Sequence, residues 1–592
     1  MTDILIQNGT IADGTGAPSV RSDLLVSGDK IRRVAPRISA PGAVVIDATG
    51  KLIAPGFINM HSHADCSVVM YPDMESTLGQ GITTEFAGHC GLSAAPADRY
   101  WLYTFPEKRA FARVDPEALD DTNPYETKVI PTEVFRKPFH EVYGEQLDWS
   151  TYGEYLAHLR RTGIGANLAP VVGHGSIRLQ AMGTEFRREA TQTEIRNMEE
   201  YLLEALMSGA FGLSFGLDYA PGMYASREEL LRLMKLVAAK GGLVTAHTRS
   251  AAHPACKRKK PRSEAEGLLE FLELGKESGA RLHISHIRSA CPGTPTDDAS
   301  ARDAVMRTLR LLERFRREGV SVTWDVIPKY AFGPFHYPMV ASLFQPYVRD
   351  CGGCKAFSEK LLEDDGYAQG IAREIKAGKR PSRGIFTSFH PNDNPGWDTQ
   401  YRFTRTMRGA WTGKTPREAA GGQDSVDFLL DLLKQDPYAA MISLKLRPEH
   451  TPERDCFAEQ PDATIGLDTW SLNYDAVFSE GDMPLECGSP ATYTGFPVFL
   501  ETMRNRPIEQ TIQKLTSNAA TALGLTDRGF VKEGMIADLL VIARDAFSAR
   551  ENLADPRHGP QGLDYVIVGG KVAVDHGIRT HVRNGVILRR CA

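Results

Sequence analysis

The stretch Gly56-Phe57-Ile58-Asn59-Met60-His61-Ser62-His63-Ala64-Asp65 decides how the chain is read. A short apolar run, opened by Pro55-Gly56, ends in two histidines with one residue between them. Side chains alternate along a strand with period two, so a strand over 57–61 sends His61 and His63 to the same side. Two imidazoles side by side at a strand end suit one metal ion. A bare His-x-His reads equally well as two histidines on a wet strand end. What favours the metal is recurrence further along the chain.

Eight apolar runs follow one another: 57–60, 82–86, 167–172, 210–215, 242–246, 281–285, 320–326 and 463–467. Amphipathic helices separate several of them. The stretch 193–207 aligns Ile195, Met198, Leu202 and Ala205 on one face. The stretch 226–239 opens with Ser226 and Glu229 as a capping box and aligns Leu230, Leu233, Met234 and Val237. Strands alternating with such helices predict parallel βα units. Eight of them predict a (β/α)8 TIM-like barrel over 56–529, with its site at the C-terminal strand ends. The ends of the chain read differently. Residues 1–55 and 530–592 carry short apolar runs with hairpin turns such as Asn8-Gly9, and together they predict one small β-sandwich domain. Two stretches, about 99–150 and 327–460, are too long for βα connections and read as insertions walling the mouth, as oligomer contacts or as decoration.

The bulk properties narrow the class. The chain has 592 residues, 42% hydrophobic and 24% charged, as in ordinary globular proteins. A net charge of −5 gives no sign of a nucleic-acid partner. No apolar run reaches membrane-spanning length and no signal segment is visible, so a cytoplasmic location without a membrane partner is expected. Nine cysteines, an odd number, argue against a disulfide framework. Cys351-Gly-Gly-Cys354 has redox spacing but no second pair nearby, and reads as a plain loop. An oligomer is compatible with the sequence.

Ligand-type residues then close the successive runs. The first ends in His61-Ser62-His63, the second in His89-Cys90, the third in His174, the fifth in His247, the sixth in His286 and the eighth in Asp468. Scattered core histidines would not gather at one end of successive strands. Imidazole and thiolate suit zinc, which makes a nucleophile of bound water near neutral pH. A neighbouring carboxylate can take that proton and give it to a leaving amine, and Asp468 suits this role one strand from the histidine pair. Cys90 is placed to bridge two metal ions. His89 is expected to point away, and His174 to be a supporting or substrate contact. His283 is left out, and Glu85 is read as one half of an ion pair. The basic run 257–260 is a solvated loop or a rim that steers anions.

Taken together, these residues resemble the amidohydrolase superfamily and, within it, the N-acyl-D-amino-acid deacylases (D-aminoacylases). The resemblance rests on Ile6-Gln7-Asn8-Gly9-Thr10-Ile11-Ala12-Asp13-Gly14, Ala54-Pro55-Gly56 with His61 and His63, and Gly81-Ile82-Thr83-Thr84 leading to Cys90-Gly91-Leu92-Ser93. It continues through Gly212-Leu213-Ser214-Phe215-Gly216-Leu217-Asp218-Tyr219, Ala246-His247-Thr248-Arg249, Ile284-Ser285-His286 and Gly534-Met535-Ile536-Ala537-Asp538-Leu539. It implies zinc held tightly by Cys90, His247 and His286. A second, weaker site at His61 and His63 would share Cys90, with Asp468 as general base and acid. Arg288 and Tyr219 would contact a small-molecule amide substrate. The implied reaction is cleavage of an N-acyl-D-amino acid; cyclic amides, imides and carbamoyl compounds are the alternative, and a non-catalytic scaffold is the third reading. The family's Gly-Ser-Asp-Gly and Gly-Asn-Cys-Gly are here Gly466-Leu467-Asp468-Thr469 and Gly88-His89-Cys90-Gly91.

Overall fold

A computed structural model describes residues 2–104, 106–114, 129–249, 264–290, 297–327, 339–378, 396–443, 452–485, 488–552 and 555–590. The basic run 257–260 and the segment 390–395 lie outside the described residues.

Eight parallel strand positions carry the site: Phe57–Ser62 (β1), Ile82–Ala87 (β2), Asn167–Pro170 continued by Val172–Gly173 (β3), Gly212–Gly216 (β4), Leu243–His247 (β5), Arg281–Ile284 (β6), Val322–Val326 (β7) and Thr464–Ile465 (β8). Each pairs in parallel with the next in sequence order. The last also meets the first. The N–H groups of Leu467 and Asp468 both donate to the His61 carbonyl, at 3.2 and 2.9 Å, and Ser62 bridges Thr469 in parallel. Strands covered on both faces need apolar side chains on both, which is why these runs read as continuous rather than alternating.

The expected helices follow the predicted periodicity. Gln192–Ser208 starts at a complete Thr191/Glu194 capping box and buries Ile195, Met198, Leu202 and Ala205. Arg227–Ala239 buries Leu230, Leu233, Met234 and Val237. Its predicted capping box is only half made. The Ser226 hydroxyl accepts from the Glu229 N–H, but the Glu229 carboxylate turns inward to His174 and Arg178, at 2.7 and 2.9 Å. A buried guanidinium and a buried imidazole outcompete one solvated N–H for that carboxylate.

The terminal strands of both chain ends join in one sheet. They hydrogen-bond as one continuous nine-stranded sheet whose two ends share one apolar cluster, Leu24 and Ile31 from one end with Ile567 from the other. Leu52–Pro55 lies at its centre, parallel to Ile4–Ile11 on one edge and antiparallel to the C-terminal Leu539–Ile542 on the other. Both faces of these central strands are apolar. Leu539 and Val541 pack with Ile4, Leu24 and Ile53, whereas Leu540 and Ile542 join the main core with Leu52 and Ala54. Because successive side chains alternate, one face of these strands lines the apolar cluster of the terminal strands and the other meets the main core.

The two insertions are packed into the main core. Trp101, Phe111, Phe135, Phe139 and Trp149 from the first, and Val340, Phe344, Phe357, Leu429 and Met441 from the second, belong to it. In the second, Cys351 follows Gln345–Asp350 and Cys354 opens the helix Cys354–Glu363, so the pair brackets the short turn between two helices. Both cysteines are free thiols.

Candidate metal centre

Strand β1 sorts its residues by parity. Ile58 and Met60 enter an apolar cluster with Phe86 and Leu523, while Asn59 and His61 point to the opposite side. The Asn59 oxygen accepts from the N–H groups of Leu467 and His61, at 3.0 and 3.3 Å, and so joins β8 to β1. Its amide donates to Glu85 at 2.7 Å, and Thr77 donates to the same carboxylate at 2.7 Å. Glu85 is therefore held by neutral donors and not by the expected ion pair. Burial raises its pKa to about 7, and a carboxylate at that point of its titration needs no cation beside it.

Cys90 sits in a tight turn after β2. Gly88 has φ +101°, and a Cβ there would come within 2.0 Å of the Val171 carbonyl, so only glycine fits. The turn is pinned from three sides. Ser214 Oγ bonds the Gly88 carbonyl and accepts from the Gly91 N–H at 3.1 Å; Tyr219 Oη donates to the Cys90 carbonyl at 2.9 Å; the Gly175 N–H donates to the Gly91 carbonyl at 2.8 Å. Tyr219, predicted as a substrate contact, has its phenol engaged in fixing the cysteine.

The six predicted residues converge. Cys90 Sγ lies 3.2 Å from His61 Nε2, 3.7 Å from His286 Nε2 and 4.0 Å from His247 Nδ1. Asp468 Oδ1 lies 3.0 Å from His63 Nε2 and 3.2 Å from His61 Nε2. Two sets of ligand atoms thereby gather within 4.8 Å: His61, His63, Cys90 and Asp468 in one, Cys90, His247 and His286 in the other. The thiol belongs to both. Three of the six, Cys90, His286 and Asp468, have positive φ values of +56°, +37° and +54°, among only eight such non-glycine residues in the described chain. Backbone of this kind costs energy and persists where the surroundings impose it, as at binding centres.

The charges fit a metal. Burial pushes the Cys90 thiol up, but the positive His61 and hydrogen bonds from His247 and His286 outweigh it and hold Cys90 well below the usual thiol range. Burial pulls the histidines down, yet Asp468 and Cys90 raise His63 to about 9, and Asp218 and Cys90 raise His247 to about 10. Asp468 is held well below the usual carboxylate range by His61 and His63 despite its burial. A buried set of anions and protonated imidazoles is what a site of zinc-binding donors looks like with protons in place of the metal.

Supporting residues fill the next layer. His247 Nε2 lies 3.4 Å from Asp218, and His61 Nδ1 3.3 Å from Asp325. His283, left out of the sequence reading, is fully buried and contacts Asp325 at 3.0 Å and Thr323 at 2.8 Å. Asp325, Asp218 and His283 are the residues that sequence reasoning missed; an aspartate inside the apolar run 320–326 was the available signal. His89 is in neither ligand set; its Nδ1 lies 3.4 Å from Ser285 Oγ and its ring 4.2 Å from that of His61. His174 pairs with Glu229 away from the six residues. Arg288 is exposed.

Comparison with known proteins places this arrangement. A model of the amidohydrolase family matches residues 44–314 and 458–574. N-acyl-D-aspartate deacylase of Alcaligenes xylosoxydans xylosoxydans is 33% identical over 98% of this chain and 93% of its own. N-acyl-D-glutamate deacylase of the same organism is 30% identical over 100% of this chain and 97% of its own. The crystal structure of N-acyl-D-glutamate deacylase from Bordetella bronchiseptica, complexed with zinc and a phosphonate inhibitor, shares the fold with a TM-score of 0.65 at 23% identity, over 100% of both chains. The chain belongs to the amidohydrolase family, in its N-acyl-D-amino-acid deacylase branch, and is a hydrolase of C–N bonds other than peptide bonds.

Proposed function

We propose that this enzyme cleaves the amide bond of an N-acyl-D-amino acid or a similar N-acyl compound, with zinc as its metal. The observation that carries the reading is the single buried thiol shared by two ligand sets, with a depressed carboxylate beside it. Cys90, His247 and His286 would hold one zinc, and His61 and His63 a second, weaker one through the same sulfur. When bound, the metal supplies an activated water and polarises the acyl carbonyl. Asp468 supplies the proton traffic. Its carboxylate is ionised and its Oδ1 faces the two histidines of β1, so it accepts a proton from the attacking water and returns it to the leaving amine. Arg288, exposed two residues beyond His286, meets the carboxylate of the substrate, and Tyr219, whose ring lies 5.1 Å from that of His247, contacts the substrate beside the centre.

The architecture supports this reading. The eight parallel strands, linked in order and joined from eighth to first, close as a (β/α)8 barrel over 56–529, with the site at their C-terminal ends. The segments 1–55 and 530–592 form a small β domain packed against the barrel, and the two insertions wall the mouth. Among the described residues no helix is long and apolar enough to cross a membrane.

A substrate panel tests the proposal. N-acyl-D-amino acids, their L-enantiomers and cyclic amides are compared with zinc-loaded protein. Turnover of the D compounds is expected, with kcat/KM at least about tenfold above the L forms, a difference of about 1.4 kcal/mol. Preference for the cyclic compounds would replace this reading with that of a cyclic amidase.

A further inference from the structure

Asp325 is a fully buried carboxylate on β7, and nothing in the proposed reaction uses it. Its neighbours Val322, Trp324 and Val326 belong to the apolar core. One oxygen, Oδ2, lies 3.3 Å from His61 Nδ1 and 3.0 Å from His283 Nε2. The other, Oδ1, accepts from the backbone N–H of His286 at 2.9 Å. A buried carboxylate costs several kcal/mol to desolvate unless its lone pairs are used, and here both oxygens are used. The space around it is closed from β8 as well: a Cβ on Gly466 would lie 2.8 Å from Asp325 Oδ1 and 2.3 Å from His61 Cβ.

One side chain thus touches a histidine from each ligand set. Towards His61 it acts on the tautomer. An ionised carboxylate only accepts, so the proton His61 keeps when a metal displaces the other is the one on Nδ1, and Nε2, which faces Cys90 and Asp468, becomes the ligating atom. Towards His286 it acts on the backbone, holding by its N–H a residue whose φ is +37°. His283, whose Nδ1 lies 2.8 Å from Thr323 Oγ1, closes the arrangement from the far side.

We propose that Asp325 is a positioning residue that couples the two halves of the centre, fixing His61 in its ligating tautomer and His286 in its strained backbone conformation. The inference rests on the reading of His61, His63, Cys90, His247 and His286 as metal ligands.

The test is Asp325→Asn, with zinc titrated into purified, metal-free protein against a competing chelator. The amide oxygen still accepts from the His286 N–H. The amide NH2 now faces His61 Nδ1, and a donor there moves the imidazole proton to Nε2, where it blocks ligation. His283 adapts by accepting at Nε2 and donating at Nδ1 to Thr323. The expected result is selective. The His61/His63 site weakens by about 10–100-fold, while one zinc remains stoichiometric at Cys90, His247 and His286. Cobalt(II) in place of zinc keeps its thiolate charge-transfer band for the first equivalent and loses the second transition to higher metal concentration. Unchanged affinity at both sites overturns the inference, and so does equal weakening of both in a folded variant, which would mark a merely structural residue. Wild-type protein that binds no zinc overturns the metal reading itself. If Asp325→Asn does not fold, wild-type protein carrying two cobalt ions decides. Its NMR spectrum is expected to show a slowly exchanging, hyperfine-shifted imidazole N–H for the second site, and the absence of that signal overturns the inference.

Discussion

Cys90, His286 and Asp468 share an unusual property: each is a non-glycine residue held at positive φ, and each faces the same small volume. Their backbones are bent so that a sulfur, an imidazole and a carboxylate meet where straight strand ends would carry them apart. Function at this scale turns on proton placement. Asp468→Asn keeps the shape but cannot take a proton, so kcat is expected to fall by about 10²–10⁴-fold, with zinc content unchanged by elemental analysis. Retained turnover would remove Asp468 from its role. The histidines make a second prediction. In metal-free protein His63 titrates at about 9 and His247 at about 10, both raised above the ordinary 6.5. They hold protons at neutral pH that zinc must displace. Zinc affinity is therefore expected to rise with pH up to that range, with protons released on binding, as calorimetry in buffers of different ionisation enthalpy reads directly. The same sign governs stability. Raised histidines stabilise the metal-free fold fully below 6.5, and that contribution is lost as pH climbs through about 9. A zinc affinity that is flat between these values would contradict the charge state described for the centre.

Elements place these residues, and here the sequence was legible to a definite depth. Strand ends could be read because a fully buried parallel strand is a short apolar run, and a polar residue closing it stands out. That found His61, His63, Cys90, His247, His286 and Asp468. It missed Asp325 and His283, which lie inside their runs, where a polar residue reads as an interruption; only the pairing of β6 with β7 sets them side by side. It missed the inward turn of Glu229 for the same reason, since Arg178 and His174 lie on a separate helix 51 and 55 residues away. The insertion 99–150 was legible as an insertion but not as core. Phe135 is fully buried, with ring centroids 5.3, 5.5 and 5.7 Å from those of Phe111, Trp101 and Phe139. Phe135→Ala is expected to cost about 3–5 kcal/mol, seen as faster amide hydrogen exchange across Thr132–Tyr143 and its neighbours. Unchanged protection would mean that this segment is decoration.

Across the whole molecule, the two ends of the chain are bound to each other and to the parallel strands. Leu539–Ile542 completes the sheet begun by Ile4–Ile11 and Leu52–Pro55. Asp538, next to it, accepts from Arg528 at 2.7 Å, from Asn167 of β3 at 2.9 Å and from the Gly569 N–H at 2.8 Å. The single continuous sheet was hidden in the sequence because its central pairing joins residues nearly 500 positions apart, and local turn chemistry specifies only neighbours. The frame around the centre is thus tied from both termini. The most direct measurement strips the protein with a chelator, reloads it with zinc and follows hydrolysis of an N-acyl-D-amino acid at each stage. Activity is predicted to vanish with the metal and to return as the first equivalent of zinc is bound; hydrolysis that persists in verified metal-free protein, or that fails to return with bound zinc, would contradict the account.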